Sequence, residues 1–458
     1  MDIPTLRERQ QVFFNSQKTK EIAFRVKRLK KLRHAIVERE QDIYDALKED
    51  FKKSHFETFI SEYGLVISEL DLVLKKLKSW SQPERVKSSI LTFPSSDYIY
   101  KEPYGNVLAI APWNYPFLLA IEPVFMAVAA GNTVVLKPSE LTKHTSQMVT
   151  DIIETVFENE YVASIQGGIP VATELLEQNW DYIFFTGSVP VGKIVAKAAA
   201  QHLTPVTLEL GGKSPCVVDN TMNLELAAKR IVWGKFFNGG QTCIAPDYLI
   251  AHDSIKAKLI DALQTEIKKA YGENPKLSED FPRIINEKNT KRLIDLLEDV
   301  TIVFGGEHDL SKCYVAPTLV DSPDLKSKLM QDEIFGPILP IYSYSTESDI
   351  ESIITHYEKP LSLYIFSKDD DFIEHIISKF SFGGGAINDP LIQYGNHRLP
   401  FGGIGSSGMG VHHGKHGFDT FTHRKSIIRR GTWFDPPLRY APYKDKISLI
   451  KKMFKWFA

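Results

Sequence analysis

Patterns typical of buried strands alternate with helical patterns along most of this chain. "NVLAIAP" (106–112), "NTVVLKP" (132–138) and "YIFFTG" (182–187) are short apolar runs that predict strands, and runs of helical length separate them. Strands and helices that alternate at this spacing predict a parallel, doubly wound sheet, so the expected fold class is α/β. Sheets of this kind bind ligands at the carboxyl ends of their strands.

A second series of alternating patterns predicts a second α/β domain. It starts at "TPVTLELGG" (204–212) and ends in the glycine-rich segments "GGGAINDP" and "LPFGGIGSSGMG". Residues 18–80 carry long charged and apolar side chains at spacings of three and four, which predicts helices. Residues 88–105 are aromatic, β-branched and rich in turn formers, which predicts a projecting hairpin.

Charge and composition exclude several classes of protein. The 458 residues include 55 basic and 57 acidic ones, so no general attraction to nucleic acid or to an anionic membrane is expected. The N-terminus lacks the apolar core of a secretory signal, and no apolar run reaches the roughly 18 residues of a membrane-spanning helix. Three cysteines cannot all pair, and such low usage suits a reducing compartment. We therefore expect a cytoplasmic protein with no nucleic-acid partner.

Cys243 lies among small residues, in the segment "NGGQTCIAPDY". A structural cysteine usually lies in an apolar run, where its thiol packs as a small hydrophobe. Gly239, Gly240 and Thr242 precede this cysteine, so packing alone does not explain it. We interpret Cys243 as a nucleophile and the other two cysteines as packing residues.

Four polar side chains stand in or just after predicted strands. Glu209 interrupts the apolar run "VTLELGG", where partial burial would raise its pKa toward the range of a general base; the alternative is an edge-strand glutamate that faces water. Lys137 and Glu140 in "VLKPSE" could hold the hydroxyls of a ribose or form a solvated turn. Asn114 in "APWNYP" is either an amide donor or a turn former.

The segment "TGSVPVG" joins a predicted strand to a predicted helix. Such a turn presents backbone N–H groups at a helix N-terminus, where phosphate binds. The dinucleotide-binding fingerprint has a glycine where Val189 stands. The motif alone therefore does not separate a nucleotide site from an unspecific strand-to-helix turn.

A thiol, a strand carboxylate, an amide donor and a nucleotide site together suit the oxidation of a carbonyl compound on sulfur. The thiol would add to the carbonyl, a hydride would leave to a nicotinamide, and water would release the acid. A cysteine hydrolase would instead pair the thiol with a histidine base. None of the 13 histidines lies in a motif with Cys243, although a histidine distant in sequence stays an alternative.

Seven segments in order resemble the motif series of the aldehyde dehydrogenase superfamily, namely "APWNYP", "VLKPSE", "FTGSVPVG", "LELGGKSP", "NGGQTCIAPDY", "EIFGPILP" and "LPFGGIGSSGMG". The compact length, the early position of Cys243 and the segment "HGKHGFDTFTHRKS" are most similar to its class 3 and fatty aldehyde branch. The resemblance implies a Rossmann-like NAD(P)-binding domain, an α/β catalytic domain and a small β oligomerisation arm. The implied bounds are 1–87 and 106–207 for the NAD(P)-binding domain, 208–398 for the catalytic domain, 88–105 and 399–432 for the bridging arm, and 433–458 for a C-terminal tail.

The resemblance also implies roles for residues of these motifs. The nucleophile would be Cys243, the base for the deacylating water would be Glu209, and the oxyanion would accept from Asn114 and the backbone N–H of Cys243. No metal site is implied. The implied cofactor residues are Trp113, Lys137, Glu140, Gly187, Ser188, Gly192, Leu210, Glu333 and Phe335, and the implied substrate residues are Tyr115 and Thr242.

The same resemblance leads to expectations about cofactor, substrate and assembly. Glu140 should repel a 2′-phosphate, so we expect NAD to be preferred, with NADP also accepted. We expect long apolar aldehydes, fatty or polyene, as substrates, medium-chain and aromatic aldehydes as lesser ones, and a homodimer. The alternatives are a non-catalytic relative, which would tend to lose the nucleophile or the base, and a coenzyme A-acylating relative, which would lack Glu209.

The C-terminal segment "YKDKISLIKKMFKWFA" predicts a basic amphipathic helix. Ile447, Ile450, Met453 or Phe454, and Phe457 fall at helical spacing, with lysines between them. Such a helix could lie on a membrane surface, so peripheral membrane contact is one interpretation. Docking of the helix on the protein itself is the other.

Overall fold

The computed structural model describes residues 2–457, and for residues 453, 456 and 457 it describes the backbone alone. Contacts between residues divide the chain into two compact units. The larger unit comprises the residues up to Trp80 and Pro103–His423. The smaller unit comprises Ser81–Glu102 and the residues from Arg424 onward.

Helices form where good helix formers place apolar residues at spacings of three and four, so that one face can pack against a sheet. Residues 18–80, predicted to be helical, form four of them with short breaks. The helices are α1 Ile3–Asn15, α2 Ile22–Glu38, α3 Glu40–Phe51, α4 His55–Thr58, α5 Gly64–Trp80, α6 Leu118–Ala130, α7 Lys143–Val156, α8 Ile169–Leu176, α9 Val189–Ala200, α10 Leu224–Phe236, α11 Asp253–Tyr271, α12 Glu287–Asp295, α13 Lys328–Gln331, α14 Glu347–Ile354, α15 Asp370–Lys379, α16 Gly414–Thr420 and α17 Ile447–Phe457.

Strands form at the short apolar and β-branched runs between these helices. They are β1 Glu84–Val86, β2 Ser95–Pro103, β3 Asn106–Ile110, β4 Thr133–Lys137, β5 Val162–Ser164, β6 Tyr182–Thr186, β7 Val206–Glu209, β8 Pro215–Val218, β9 Tyr248–His252, β10 Ile302–Phe304, β11 His308–Asp309, β12 Tyr314–Val315, β13 Thr318–Asp321, β14 Ile338–Tyr344, β15 Ser362–Phe366, β16 Gly384–Ile387, β17 Gly408–Met409 and β18 Thr422–Arg430.

The larger unit contains a six-stranded sheet in the order β17-β7-β6-β3-β4-β5. Its pairs are parallel except for β17 with β7. Both β3 and β4 are buried along their whole length, as expected for strands whose two faces are covered by helices. The α/β prediction is confirmed here, and the carboxyl ends of β3, β4, β6 and β7 meet at one edge of the sheet.

Strand β7 belongs to this first sheet, whereas the sequence pattern suggested that it starts the second domain. Its register with β6 runs from Val206 opposite Ile183 to Glu209 opposite Thr186. On its other side β17 pairs antiparallel, with Gly408 opposite Glu209. The alternation of patterns does not indicate which sheet a strand joins, because that depends on hydrogen bonds between segments distant in sequence.

A seven-stranded sheet in the order β10-β13-β14-β9-β8-β15-β16 forms the second layer of the larger unit. The pairs from β13 to β16 are parallel, and β10 is antiparallel at one edge. Successive residues of its central strands alternate between two apolar clusters, with Val218 and Leu249 in one and Val217 and Ile250 in the other. Apolar packing therefore covers both faces, and this second α/β sheet is as predicted.

The smaller unit contains most of a three-stranded sheet in the order β1-β2-β18. Strand β1 pairs antiparallel with β2, so the hairpin predicted within residues 88–105 is made instead with residues 84–86. Strand β2 begins at Ser95, directly after Pro94.

The predicted C-terminal helix is present as α17 in the smaller unit. The side chains of Ile447 and Phe454 are exposed on it. The side chains of Met453 and Phe457, which the amphipathic pattern includes, lie outside the described residues. Across residues 2–457, no helix has the length and apolar character that crossing a membrane requires.

Candidate active site

A cavity of about 330 Å³ lies in the larger unit, and Cys243 lines it. Tyr115, Glu209 and Thr242 contribute the other polar groups discussed below. The predicted nucleophile, the predicted base and both predicted substrate residues therefore meet in one cavity. The rest of the wall is largely apolar, with side chains such as Leu118, Leu119, Trp233, Phe237, Leu391 and Phe401.

The loop that carries Cys243 begins where α10 ends, at Phe236. Asn238, Gly239 and Gly240 then have φ values of 53°, 62° and 75°, a left-handed conformation that ends the helix. A Cβ at position 240 would lie 2.4 Å from the carbonyl oxygen of Gly336, so a side chain there would collide with backbone. This close approach explains the glycine before Cys243.

Cys243 is half-buried. Burial raises the pKa of its thiol above the ordinary range, and the negative charges of Glu333 and Glu209 raise it further. Hydrogen bonds from the backbone N–H groups of Cys243 and Ile244 act in the opposite direction. The raised pKa keeps the thiol in its neutral form unless a further interaction stabilises the thiolate.

Glu209 is the last residue of β7 and is only 3% exposed. Because β7 lies between β6 and β17, the alternative of an edge-strand glutamate that faces water is wrong. Burial raises the pKa of this carboxyl well above its ordinary value, and the charge of Glu122 adds to the effect. Neither carboxylate oxygen has a hydrogen-bond partner within the described residues. A proton-accepting group without a protein partner therefore faces the cavity.

Asn114 is also buried, in the loop that follows β3. Its side-chain amide donates to the carbonyl oxygen of Gln241 at 3.1 Å, two residues before Cys243. The next residue, Tyr115, shares a short hydrogen bond between its hydroxyl and that of Thr242. These two bonds hold the loop after β3 against the cysteine loop.

Lys137 and Glu140 form an ion pair just after β4. Lys137 is 4% exposed, so the alternative of a solvated turn does not describe it. Burial alone would raise the pKa of Glu140, but the hydrogen bond and charge of Lys137 and a backbone hydrogen bond together hold it below the ordinary value. The half-exposed carboxylate therefore stays ionised at neutral pH.

The turn between β6 and α9 lies beside the end of β7. The backbone N–H of Gly187 donates to the carbonyl oxygen of Glu209 at 3.0 Å. Ser188 precedes α9 as its N-cap, and its hydroxyl makes no capping hydrogen bond. A Cβ on Gly192 would lie 2.7 Å from Leu210 Cδ2, so the glycine allows α9 to approach β7 closely. The result is a helix N-terminus with an uncommitted hydroxyl, a suitable site for an anion.

Glu333 lies over the backbone just after β7, where a Cβ on Gly211 would lie 2.1 Å from Glu333 Oε2. Burial and the charge of Asp247 raise the pKa of Glu333 to about 8. Phe335 packs edge-on against Trp113, with the ring centroids 5.2 Å apart. The structure thus brings these predicted residues into the neighbourhood of β7 and of the loop after β3.

Two buried carboxylates near the cysteine loop were missed by the sequence analysis. Glu57 accepts a hydrogen bond from the backbone N–H of Asn238 at 2.8 Å. Glu62 pairs with Lys53, with 2.8 Å between Oε1 and Nζ, and both side chains are fully buried. In the sequence, Lys53, Glu57 and Glu62 lie in a charged, helical stretch whose pattern is that of a solvated surface. No local signal distinguishes them.

A second missed cluster lies at the cavity wall formed by Tyr394 and His412. The Tyr394 hydroxyl donates to Glu122 Oε2 at 2.7 Å, and His412 Nδ1 lies 3.3 Å from Glu122 Oε1. His413 Nδ1 lies 3.1 Å from Glu69 Oε2. Burial would lower the pKa of His413, but the neighbouring carboxylates of Glu122 and Glu69 raise it to about 10. A protonated His413 therefore compensates the two buried carboxylates.

Comparison with known proteins gives a consistent result over nearly the whole chain. The model of the aldehyde dehydrogenase family matches residues 7–427. A 4,4′-diaponeurosporen-aldehyde dehydrogenase of Staphylococcus aureus is 48% identical over 97% of each chain. Aldehyde dehydrogenase family 3 member A2 of Pongo abelii is 44% identical over 99% of this chain and 95% of its own. The dimeric NADP-preferring aldehyde dehydrogenase of Canis lupus familiaris is 42% identical over 96% of this chain and 98% of its own.

Solved structures agree with these relatives. The substrate-bound state of Staphylococcus aureus AldH superposes with a TM-score of 0.96 at 46% identity, covering 99% of this chain and 100% of the other. The NAD+ complex of an aldehyde dehydrogenase from Bacillus cereus has a TM-score of 0.83 at 24% identity over 94% of this chain and 89% of its own. At that identity the second structure supports the fold alone.

Proposed function

This chain belongs to the aldehyde dehydrogenase family and oxidises aldehydes to carboxylic acids with NAD(P), and we propose that Cys243 is its nucleophile and Glu209 its general base. One observation supports these assignments above all: the Cys243 thiol and the buried, unpartnered carboxylate of Glu209 line the same cavity. A buried carboxylate without a donor is costly. The water that hydrolyses an acyl intermediate would supply that donor.

In the proposed reaction the thiolate of Cys243 adds to the aldehyde carbon, which forms a C–S bond and an oxyanion. The Asn114 side chain and the backbone N–H of Cys243 donate to this oxyanion. One amide N–H of Asn114 is bound to Gln241, and this orients the second N–H as the candidate donor. A donor of this kind contributes about 10²- to 10³-fold to the rate.

Hydrolysis follows the oxidation step. A nicotinamide cofactor bound at this site would supply the acceptor for the hydride of the aldehyde carbon, and the acyl group would remain on sulfur as a thioester. Glu209 then accepts a proton from the attacking water, and the C–S bond breaks to release the acid and the Cys243 thiolate. The raised pKa of Glu209 suits a group that takes up a proton in each turnover.

The residues after β4, β6 and β7 fit a nicotinamide dinucleotide. The N-terminus of α9, with the uncommitted hydroxyl of Ser188, would hold the pyrophosphate. Lys137 and Glu140 would hold the adenosine ribose, and Glu333 with Phe335 the nicotinamide half. Trp113, Gly187, Gly192 and Leu210 would shape the walls around these contacts.

Glu140 supports a preference for NAD over NADP. Its carboxylate is 42% exposed and its lowered pKa keeps it charged, so it would repel a 2′-phosphate. Lys137 offsets part of this repulsion through the ion pair. We therefore propose that NAD is preferred and that NADP is accepted less efficiently.

The cavity supports long apolar aldehydes as substrates, with medium-chain and aromatic aldehydes as lesser ones. Its wall consists mainly of leucine, isoleucine and aromatic side chains, which favour an apolar chain through the hydrophobic effect. The name of the Staphylococcus aureus relative specifies one such aldehyde. The presence of both Cys243 and Glu209 in the cavity argues against a non-catalytic or coenzyme A-acylating protein.

Assembly as a homodimer is supported by β18, the last strand in its sheet. Ile427 and Ile428 on this strand are 42% and 55% exposed. An exposed edge strand with apolar side chains favours pairing with a second chain. The name of the relative from Canis lupus familiaris describes that protein as dimeric.

Cytoplasmic location with peripheral membrane contact through α17 is a further proposal. Lys451, Lys452 and Lys455 are interspersed on this helix with apolar side chains, of which Ile447 and Phe454 are exposed. This combination of basic and apolar side chains is typical of a helix that lies on an anionic lipid surface. The lysines would contact lipid headgroups while the apolar side chains enter the interface.

Replacement of the two central residues separates the two halves of the reaction. Cys243→Ala should abolish NADH formation, because the thiol forms the intermediate. Glu209→Gln should give a burst of about one NADH per subunit and then stall, because in the proposed reaction Glu209 acts in deacylation and not in the attack on the aldehyde. Stopped-flow absorbance measures both phases. Steady turnover of Glu209→Gln at the parent rate would falsify the base assignment.

The pH dependence of the parent enzyme gives a control for the same assignment. Because the pKa of Glu209 is raised, the ionised fraction of this carboxyl grows as the pH rises from acidic to alkaline values. Deacylation should accelerate over the same range. The slow residual turnover of Glu209→Gln should lack this rise, and an unchanged pH profile would assign the titration to another group.

A series of straight-chain aldehydes of increasing length, measured with both cofactors, tests the substrate and cofactor proposals together. We expect kcat/KM to rise with chain length, since each added methylene in the cavity contributes about 0.8 kcal/mol of transfer free energy. We also expect higher kcat/KM with NAD than with NADP, and a smaller difference in Glu140→Gln. A flat length profile would contradict the first expectation, and a strong advantage for NADP the second.

Charge placed on the exposed strand tests the dimer. Ile428→Lys should shift the protein from dimer to monomer in sedimentation velocity, because lysine on an edge strand opposes pairing. Arg429→Lys, which conserves the charge of the neighbouring residue, serves as the matched control and should stay dimeric. A parent protein that sediments as a monomer would contradict the proposed homodimer.

Removal of the tail tests membrane contact. A chain truncated before Tyr443 should lose binding to vesicles that contain anionic lipid, because it lacks α17 and its lysines. Vesicle co-sedimentation in low and high salt measures the effect. Equal binding of the parent and truncated chains would argue that α17 docks on protein instead.

A further inference from the structure

A π-helical turn, Phe59–Tyr63, interrupts the helical stretch beside the cavity. It is closed by a hydrogen bond from the N–H of Gly64 to the carbonyl oxygen of Phe59, five residues earlier. A Cβ on Gly64 would lie 2.8 Å from that oxygen, so a side chain there would collide with the turn. Turns of this kind are rare and often occur at functional sites.

The turn brings Glu57 and Glu62 to the same side of the segment. On an α-helix, residues five apart point about 140° away from each other, since each residue turns by roughly 100°. Glu57 lies two residues before the π-helical turn and Glu62 lies within it. Because that turn closes over five residues, it rotates less per residue and reduces this angle. Both carboxylates can therefore reach the loops that carry Asn114 and Cys243.

Glu62 supports the segment immediately after Asn114. Its Oε2 accepts hydrogen bonds from the backbone N–H groups of Phe117 and Leu118, at 2.9 and 3.2 Å. Its Oε1 pairs with Lys53, whose ammonium lies 4.5 Å from the ring centroid of Tyr115. A buried ion pair thus contacts both sides of the short segment that begins at Asn114.

Glu57 supports Asn114 through one intermediate residue. It accepts from the backbone N–H of Asn238 at 2.8 Å. The side-chain amide of Asn238 donates to the carbonyl oxygens of Asn114 at 2.7 Å and Gln241 at 3.2 Å. Gln241 in turn accepts from the Asn114 side chain at 3.1 Å. The orientation of Asn114 therefore depends on a chain of hydrogen bonds that starts at Glu57.

We propose that Glu57 and Glu62, brought together by the π-helical turn, are positioning residues that hold the Asn114 amide in the orientation required for the oxyanion. The inference rests on the proposed function of Asn114 and names the residues through which its geometry is set. Glu57 acts through Asn238, and Glu62 acts through the backbone of Phe117 and Leu118. A small rotation of the donor suffices to weaken the bond that it makes in the transition state.

Glu57 offers the sharper test because its two replacements separate hydrogen bonding from charge. Burial raises the pKa of Glu57 to about 7, so much of this carboxyl is uncharged at neutral pH. Glu57→Gln keeps an acceptor oxygen for the Asn238 N–H, whereas Glu57→Leu removes it. Thr58→Val is the matched control, because Thr58 is fully buried beside Glu57 and its hydroxyl has no partner within the described residues.

The experiment measures kcat and the KM for NAD in these three variants, in Asn114→Ala, and in the double variant Glu57→Leu with Asn114→Ala. We expect Glu57→Leu to lower kcat at least about tenfold with little change in the KM for NAD. A displaced donor stabilises the oxyanion poorly, so displacing it costs most of the rate that removing it would cost. Glu57→Gln should restore most of the rate, and Thr58→Val should match the parent. In the Asn114→Ala background, Glu57→Leu should cause no further loss.

Alkylation of Cys243 by iodoacetamide at the parent rate checks that Glu57→Leu is folded. Should Glu57→Leu not fold, Gly64→Ala, which disturbs the π-helical turn alone, carries the same expectation.

Each contrary result has a distinct meaning. If Glu57→Leu matches Thr58→Val, or if its loss multiplies with that of Asn114→Ala, the positioning role is overturned while the proposed function of Asn114 stands. If Asn114→Ala itself turns over at the parent rate, the oxyanion assignment fails and the positioning role fails with it.

Discussion

Parallel pairing of β3, β4, β6 and β7 is the constraint on which the site depends. Parallel strands end at the same edge of a sheet, so one edge receives the loop with Asn114, the Lys137–Glu140 pair, the turn at Ser188 and the Glu209 carboxylate. These residues are far apart in sequence and belong to four separate loops or strand ends. The fully buried backbone hydrogen bonds of the sheet hold their spacing, and the cysteine loop from the second sheet completes the arrangement.

Buried charge is the second feature that organises the site. The thiol of Cys243 has a raised pKa, and so have the carboxyls of Glu209 and Glu333, because burial disfavours the charged form of each. Around them the protein places paired charges, such as Lys53 with Glu62. The ion pair of Lys53 and Glu62 contacts the segment after Asn114, whereas the carboxylate of Glu209 has no hydrogen-bond partner within the described residues.

The catalytic residues were assigned from the sequence by their residue types and by the order of the motifs. A cysteine among glycines, a glutamate inside an apolar strand and an ordered series of motifs are local features, and each can be recognised without coordinates. The helices at residues 18–80 and the two α/β layers were recognised in the same way, from periodicity. Glu57, Glu62 and Lys53 were not, because a buried charged residue in a helix has the same local pattern as a solvated one. Only contacts with distant segments make them buried.

The sequence by itself determined the fold class, the family and the identity of the groups suited to the chemistry, since these depend on residue types and on their order along the chain. The tertiary structure decided which groups act together. It placed β7 in the first sheet between β6 and β17, which buries Glu209, and it brought Glu57 beside Asn238. Both outcomes arise from hydrogen bonds and packing between segments separated by many residues, and such contacts leave no trace in a local pattern.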